Sequence, residues 1–487
     1  MTNIALVLNY VILYNHFTIN NIKAKGKFMD NTASSALKNE KIGKLLAKLA
    51  LPAVAAQLIN LLYNLVDRMY IGHIEGIGEL ALTGVGVCLS LITIIAAFAA
   101  LAGFGGAPRA SIYLGKGDKE NAEKVLGAST LLLIVVSTVI TIIMLIFSKD
   151  LLLLFGADDN TIQYAQEYMQ IYSMGTIFVQ LTLGLNAFIS AQGFSAISMV
   201  SVVIGAVLNI ILDPIFIFAL NMGVKGAALA TVISQFASTV FIICFLTGKK
   251  TTIKIKFKYL SLNPKIILPC VALGLSPFIM QATESLIQIC FNTSLRDYGG
   301  YIAVGAMTIL TSVMQFCMMP LSGLTQGAQP IISYNYGAGD AKRVKKAFKL
   351  LLISCCVYSF TIWAAVMIFP KTFSLIFTDN PTLIEFSSNA LRIYMSVAFV
   401  FGIQIACQQT FIALGNAKNS LFLAILRKII LLIPLIYILP LFMEDKITAV
   451  FMAEPVADIL AVTTTATLFT VQFKALIKKI ETKNDKN

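Results

Sequence analysis

Apolar runs of about 20 residues, the length that crosses a bilayer core, recur along this chain, separated by short segments rich in Gly, Pro, Asn, Asp and Lys. Read between those loop signals, they predict twelve helical spans. These lie at 49–71, 79–107, 123–147, 162–189, 197–219, 224–247, 266–293, 302–331, 346–369, 386–413, 419–440 and 447–473. Several exceed 20 residues, so tilt or extension beyond the bilayer is expected.

The pattern also repeats. "YLGKGDKENAEKV" (113–125) and "YNYGAGDAKRVKK" (334–346) each place a G-x-G-D turn before a basic helix start, with Gly117 and Gly339 separated by 222 positions. "FISAQGFSA" (188–196) pairs with "FIALGNAKN" (411–419), and "LFGADD" (154–159) with "IFTDNP" (376–381), at nearly the same offset; Pro52 and Pro277 head the two halves. One six-helix unit, duplicated, explains all of these. Six is even, so both copies enter and leave on one side, and the lobes are expected to be related by a pseudo-two-fold axis along the membrane normal, with a cleft between them. The fold class is therefore all-α integral membrane: a lead-in over residues 1–40, a first lobe over 41–247, a basic linker over 248–265, a second lobe over 266–473 and a tail over 474–487.

Composition agrees: 57% of the residues are hydrophobic, 13% are charged, and mean hydropathy is +0.82. The charged fraction is about half that of a soluble domain. A net charge of +13 raises the question of nucleic acid, but its placement answers no. Lysines crowd the amino-terminal segment, 248–265, 340–349 and the tail, whereas "IGHIEGIGE" (71–79) has no Lys or Arg. That alternation is the positive-inside bias, and it puts both termini and the linker in the cytoplasm, with the lysines against anionic lipid headgroups. Eight cysteines scatter through apolar runs, and His16 and His73 have no spaced partner, so neither zinc nor a disulfide framework is expected. "IALVLNYVIL" (4–13) is too short to span, and Met29 opens a cytoplasmic start with an amphipathic lead-in, so residues 1–28 are assigned no function.

Few charges fall inside the spans, where each costs about 2.5–3.5 kcal/mol near the bilayer centre unless it faces a cavity or a partner. They are Asp67, Asp213, Glu284, Glu454 and Asp458, with Arg427 and Lys428 in the eleventh span. Asp67 precedes the outer end of its span by four residues and Asp213 by six, while Thr231 lies seven residues into the returning sixth span. At about 1.5 Å per residue these depths agree to within a few ångströms. Asn209 sits one turn from Asp213, and Pro214 cannot donate to the carbonyl of Ile210. The resulting oxygen-rich layer suits a hard monovalent cation or a shared proton. The plainer alternatives are that Asp67 snorkels, neutralised by Arg68, and that Asp213 caps a kinked helix.

Glu284 lies deeper, with Gln281 one turn before it, and reads as a lone acid that trades a proton for a cationic ligand, or else as a structural bond to a neighbouring helix. Glu454 and Asp458, one turn apart around Pro455, are weaker candidates because their span begins near the outer surface. Met307, Met314, Met318 and Met319 recur at helical spacing in the eighth span. They are either core filler or deformable thioethers facing varied flat ligands.

These residues carry a resemblance. "LVD" in the first span, "N-x-x-x-D-P" in the fifth, "GAALATVISQ" (226–235) in the sixth, the acid of the seventh, the G-x-G-D loops and "RKIILLIPLIYILP" (427–440) are together similar to the multidrug and toxic compound extrusion (MATE) family, in the branch of MepA-type and DinF-type bacterial exporters. The resemblance runs from about residue 41 to 475. It implies a twelve-helix antiporter that exports cationic amphipathic compounds in exchange for Na+ or H+ and has no other cofactor. It further implies that Asp67, Asn209, Asp213 and Thr231 form the coupling site, and that Glu284 matches the seventh-span acid that meets substrate or proton; Gln281 and Met314 join it as candidates on the reading of the residues above. The tenth span departs from the pattern: it offers Gln404 where some members carry an aspartate, which puts a second-lobe sodium site in doubt.

The chain is thus expected to be a transporter and not an enzyme, a monomer in a bacterial plasma membrane, with small cationic molecules and lipids as its partners. A lipid-linked oligosaccharide flippase is the alternative; it would want cationic side chains in the cleft, whereas the charged spans here are mostly acidic. An intramembrane enzyme would need paired acids or a nucleophile with its base, and the adjacent acids of "ADDN" (157–160) fall in a loop. Deletion of residues 2–28 is expected to leave membrane insertion and transport unchanged, as membrane fractionation and efflux assays would register; loss of insertion would overturn that.

Overall fold

The computed structural model describes residues 32–484, and the expectation for residues 1–28 lies outside them. Among the described residues nine helices are long and apolar enough to cross a bilayer, and two further spans are bent helix pairs. One of the nine, Pro264–Gly337, is itself two spans. A straight helix of 74 residues would be about 110 Å long, yet Gly274 packs on Leu101 and Tyr334 on Gly115 of the same second span. The chain turns back at Gly300, whose φ of 61° suits a residue without Cβ. The count is therefore twelve, and each span overlaps its sequence-based counterpart.

In order the first lobe runs Ile42–Gly72, Gly78–Gly115, Lys119–Leu154, the pair Ile162–Met174 and Thr176–Ala191, Ser195–Ala219, and Gly223–Thr247. The second lobe repeats this with 264–299, 301–337, Ala341–Ile368, the pair Pro381–Tyr394 and Ala398–Ala413, Ala417–Phe442, and Lys446–Thr482. The duplication reaches fine detail. The fourth span bends by 58° and the tenth by 48°. The fifth carries a π turn over Ile215–Ala219 and the eleventh one over Leu426–Leu432. Gly117 and Gly339 both have φ of 77°, and each is followed by an aspartate that caps the next helix. Asp118 accepts from the Asn121 amide at 3.0 Å, and Asp340 from that of Arg343 at 2.9 Å. In the loop, the Asn121 side chain and amide hold the Asp118 carboxyl below the usual carboxylate range.

The lobes meet through small residues in the half of the bundle nearest the lysine-rich loops. A Cβ on Gly327 would collide with the Ala50 backbone, one on Gly323 with Val54, and one on Gly105 with the Cys270 carbonyl. Across helices with no hydrophobic drive to associate in lipid, such backbone approach supplies the dispersion contact. A short leading helix, Thr32–Asn39, covers this face. Its Leu37 side chain is fully buried and sits over Gly193 of the first lobe, while the Leu37 carbonyl accepts from Asn335 at 3.2 Å and Arg343 at 2.9 Å in the second.

The lysine-rich linker is not loose. The Gln192 side-chain oxygen accepts from the Thr251 hydroxyl at 2.9 Å and from the Thr252 and Ile253 amides at 2.8 and 3.0 Å. Glu123 pairs with Lys256. The segment set aside as a tail also differs: the last helix continues to Asn484, with Ile477 buried in the core and Lys345 bonded to Glu481 at 2.8 Å.

Gly327→Leu should keep the lysine-rich ends of the lobes apart while leaving the chain inserted. The expected readout is loss of export together with faster N-ethylmaleimide labelling of Cys270, resolved by peptide mass spectrometry against the exposed Cys244. Labelling at the parent rate would show that the close contact is dispensable.

Candidate functional site

Two polar clusters lie among the spans, one in each lobe. In the first lobe the fifth span presents Asn209 and Asp213 on one face, both buried. Asn209 Nδ2 donates to Asp213 Oδ1 at 3.1 Å and reaches Thr231 Oγ1 of the sixth span at 3.4 Å. The Asp67 carboxyl, from the first span, meets that of Asp213. The four residues taken from the sequence as one layer are thus in one place. Pro214 supplies no N–H, and the helix passes into the π turn directly after it. Gly226 of the sixth span lies against the backbone of Phe216 in that turn, which accounts for the small residues of "GAALA".

The cluster is short of donors. Asp67 Oδ1, Asn209 Oδ1 and Asp213 Oδ2 are buried without a hydrogen-bond partner. Arg68, offered above as a neutraliser of Asp67, is exposed and forms no ion pair among the described residues. Sequence reasoning missed the aromatic wall: Tyr63 lies one turn before Asp67, and Tyr168, near Asp67, stacks on Tyr172 with centroids 6.1 Å apart. The i, i+4 spacing of Tyr168 and Tyr172 was the available signal. Two facing acids, an amide oxygen and a hydroxyl, with no ion pair to a cationic side chain among the described residues, form an oxygen donor set for a proton or a hard monovalent cation.

The second lobe is built differently, and here the sequence reading is corrected. Glu284 is neither lone nor deeply buried: its side chain is 54% exposed and accepts from Lys428 Nζ at 2.7 Å. Arg427 donates through Nη2 to Glu454 and through Nε to Asp458, each at 2.8 Å, and stacks over the Phe401 ring. Each of the three acids is therefore bonded to a cationic side chain, Glu454 and Asp458 sharing one, which corrects the reading of Glu284 as a lone acid. Glu454 and Asp458, the weaker candidates, are fully engaged in the core. Met307 is buried in the second-lobe core and Met314 packs against it, which is what filler side chains do.

Gln281 lines a cavity of about 130 Å³ between the lobes, where it faces Gln326, Gln329 and Gln409 from the eighth and tenth spans and Phe104 from the second. Gln404 lies away from this cavity, buried and bonded to Gln408 at 3.3 Å. Glu284 is one turn beyond Gln281, and Ser285 beside it approaches the Ser90 carbonyl of the first lobe at 3.5 Å, so this helix face looks across the cleft. Among the described residues no three His, Cys, Asp or Glu side chains gather as a metal site would require.

A twelve-span, two-lobed bundle with polar clusters inside each lobe is the architecture of a membrane transporter. The MatE family profile matches residues 52–215 and 277–438, and the chain belongs to this family, the multidrug and toxic compound extrusion transporters. It is 26% identical over 422 residues to the multidrug export protein MepA of Staphylococcus haemolyticus (strain JCSC1435), covering 86% of this chain and 92% of that protein. A solved structure of the MATE multidrug transporter DinF-BH, in complex with a ligand, is 34% identical, with a TM-score of 0.82 over 89% of this chain and 96% of that one. A MATE structure in the bent conformation has a TM-score of 0.86 at 24% identity, covering 93% and 99%; at that identity it speaks for the fold alone.

Arg427→Ala would leave two buried carboxylates without their cation. Removing one partner of a buried pair costs about 3–5 kcal/mol, so a clearly lowered melting midpoint in detergent is expected, followed by size-exclusion after heating. An unchanged midpoint would mean that the acids are held by other groups.

Proposed function

We propose that this chain is a secondary-active exporter of lipophilic cations that takes up H+ or Na+ at Asp67, Asn209, Asp213 and Thr231. The observation that carries the reading is the meeting of the Asp67 and Asp213 carboxyls, with three buried oxygens left without donors. Two adjacent carboxylates cannot both stay ionised away from water without a shared proton or a bound cation. That makes the cluster's charge, and hence the packing of the first, fifth and sixth spans, depend on what arrives there. The relatives named for multidrug export and as a multidrug transporter support small organic molecules as cargo.

The mechanism is alternating access. With the lysine-rich face cytoplasmic, as the charge bias argues, the glycine contacts close the cleft to the cytoplasm in the state described here. A cation or proton reaching Asp67 and Asp213 from outside neutralises the pair, repacks the first lobe around the π turn and favours release of cargo from the cleft. Cargo entering from the cytoplasm then accompanies loss of the ion. The flippase alternative is weakened because Arg427 and Lys428, the cations a pyrophosphate would seek, are already spent on three acids.

Asp213→Asn keeps shape and hydrogen bonding but removes the charge, so gradient-driven ethidium efflux from proteoliposomes should fall to background while the protein stays folded. Asp67→Asn should behave alike, and the double variant should be no worse than either single one. Sodium and pH gradients imposed separately identify the ion. Near-normal efflux by Asp213→Asn, or protection of a sensitive host against anionic compounds as strong as against ethidium, would sink the reading.

A further inference from the structure

The second-lobe cluster holds three acids, Glu284, Glu454 and Asp458, and two bases, Arg427 and Lys428, so it is one positive charge short of neutral. The bases are not equivalent. Arg427 is buried and fixed by two 2.8 Å bonds to Glu454 and Asp458. Lys428 has a single 2.7 Å bond, to Glu284, and its own side chain is only 6% exposed while that of Glu284 is 54% exposed. Lys428 also lies near enough to Glu454 for their charges to interact. The ammonium therefore reaches from the core towards the cleft, with a second acid behind it. The Lys428–Glu284 pair links the seventh and eleventh spans, as Asp67 and Asp213 link the first and fifth. Where the first lobe leaves a carboxyl pair open, the second carries its own cation.

We infer that Lys428 is a tethered counter-ion: in the empty cleft it occupies Glu284, and a monocationic ligand binds by taking its place there while Lys428 withdraws to Glu454. The charge balance closes at three acids and three cations, which favours singly charged ligands over neutral or doubly charged ones. Gln281, one turn before Glu284, belongs to a cavity lined by Gln326, Gln329 and Gln409 as well, whose neutral amides can accept a ligand body without changing that balance. Lys428 would thus set affinity: it weakens binding of every cation by competing for Glu284, and the weakening speeds release. This inference rests on the proposal that cargo is cationic, with Glu284 meeting it.

The test is equilibrium binding of tetraphenylphosphonium to the full chain in detergent. Lys428→Met should bind it more tightly, by on the order of tenfold, the ratio that about 1.4 kcal/mol of removed competition gives. Glu284→Gln should lose binding, the double variant should match Glu284→Gln, and Lys428→Arg should stay near the parent. Unchanged or weaker binding by folded Lys428→Met overturns the inference. Should that variant not fold, the parent chain still decides: carbodiimide-driven amide formation between Lys428 and Glu284, read by mass spectrometry, should fall as tetraphenylphosphonium saturates, and a constant yield counts against it. If neither the parent nor Lys428→Met binds the probe, the cationic-cargo reading itself fails and the inference with it. A parent that binds, with Lys428→Met identical to it, refutes the tethered counter-ion alone.

Discussion

An ionised side chain that leaves water for the interior of a membrane bundle must be met by a cation, a proton or a cavity. The two lobes of this chain answer that requirement in opposite ways. In the second lobe Arg427 and Lys428 arrive with the acids, so the cluster is largely self-compensated and holds the seventh, eleventh and twelfth spans together. In the first lobe no cationic side chain among the described residues pairs with Asp67 or Asp213, and buried oxygens are left over. A bundle built from one duplicated unit has thereby acquired a mostly structural polar core on one side and a chemically unfinished one on the other. Everything proposed for coupling follows from that asymmetry.

The backbone geometry serves the same division. Both fifth-type spans carry a π turn, but they are used differently. In the first lobe the turn follows Pro214 and adjoins the carboxyls, so freed backbone and unpaired side chains share one place. In the second lobe the turn contains Arg427 and Lys428 themselves, whose side chains pair with two different helices. Consecutive residues on a helix stand about 100° apart, and that separation sends Arg427 to the twelfth span and Lys428 to the seventh.

Much of this was legible before any coordinates. Apolar run length located the spans, because hydrocarbon thickness fixes it, and the G-x-G-D repeat gave the duplication because Gly117 and Gly339 need the same positive φ. Counting residues from helix ends brought Asp67, Asn209, Asp213 and Thr231 together. Counted from the helix ends that the structure shows, Glu284, sixteen residues before Gly300, and Lys428, fourteen before Phe442, also fall at one depth. The count was not applied to Arg427 or Lys428, so the pairing was missed. What no counting could supply was helix rotation: whether Met314 faces the cleft or the core depends on how its helix is turned against its neighbours, and that is decided by packing. The linker escaped for a related reason. Its lysines read as contacts for anionic lipid headgroups, while what secures it is the buried amide of Gln192 on another span.

The leading helix has a mechanical consequence. Leu37 is bonded to the second lobe through Asn335 and Arg343. Glu40, three residues on, pairs with Lys44 and Lys48 of the first span. Only two residues separate the end of that helix at Asn39 from the start of the first span at Ile42. Extended chain reaches no more than about 3.6 Å per residue, so this link acts as a check strap across the lysine-rich mouth. The lobes can part there by roughly the slack in a few residues before Leu37 is drawn from its seat, and the leading helix thereby limits how wide the mouth can gape.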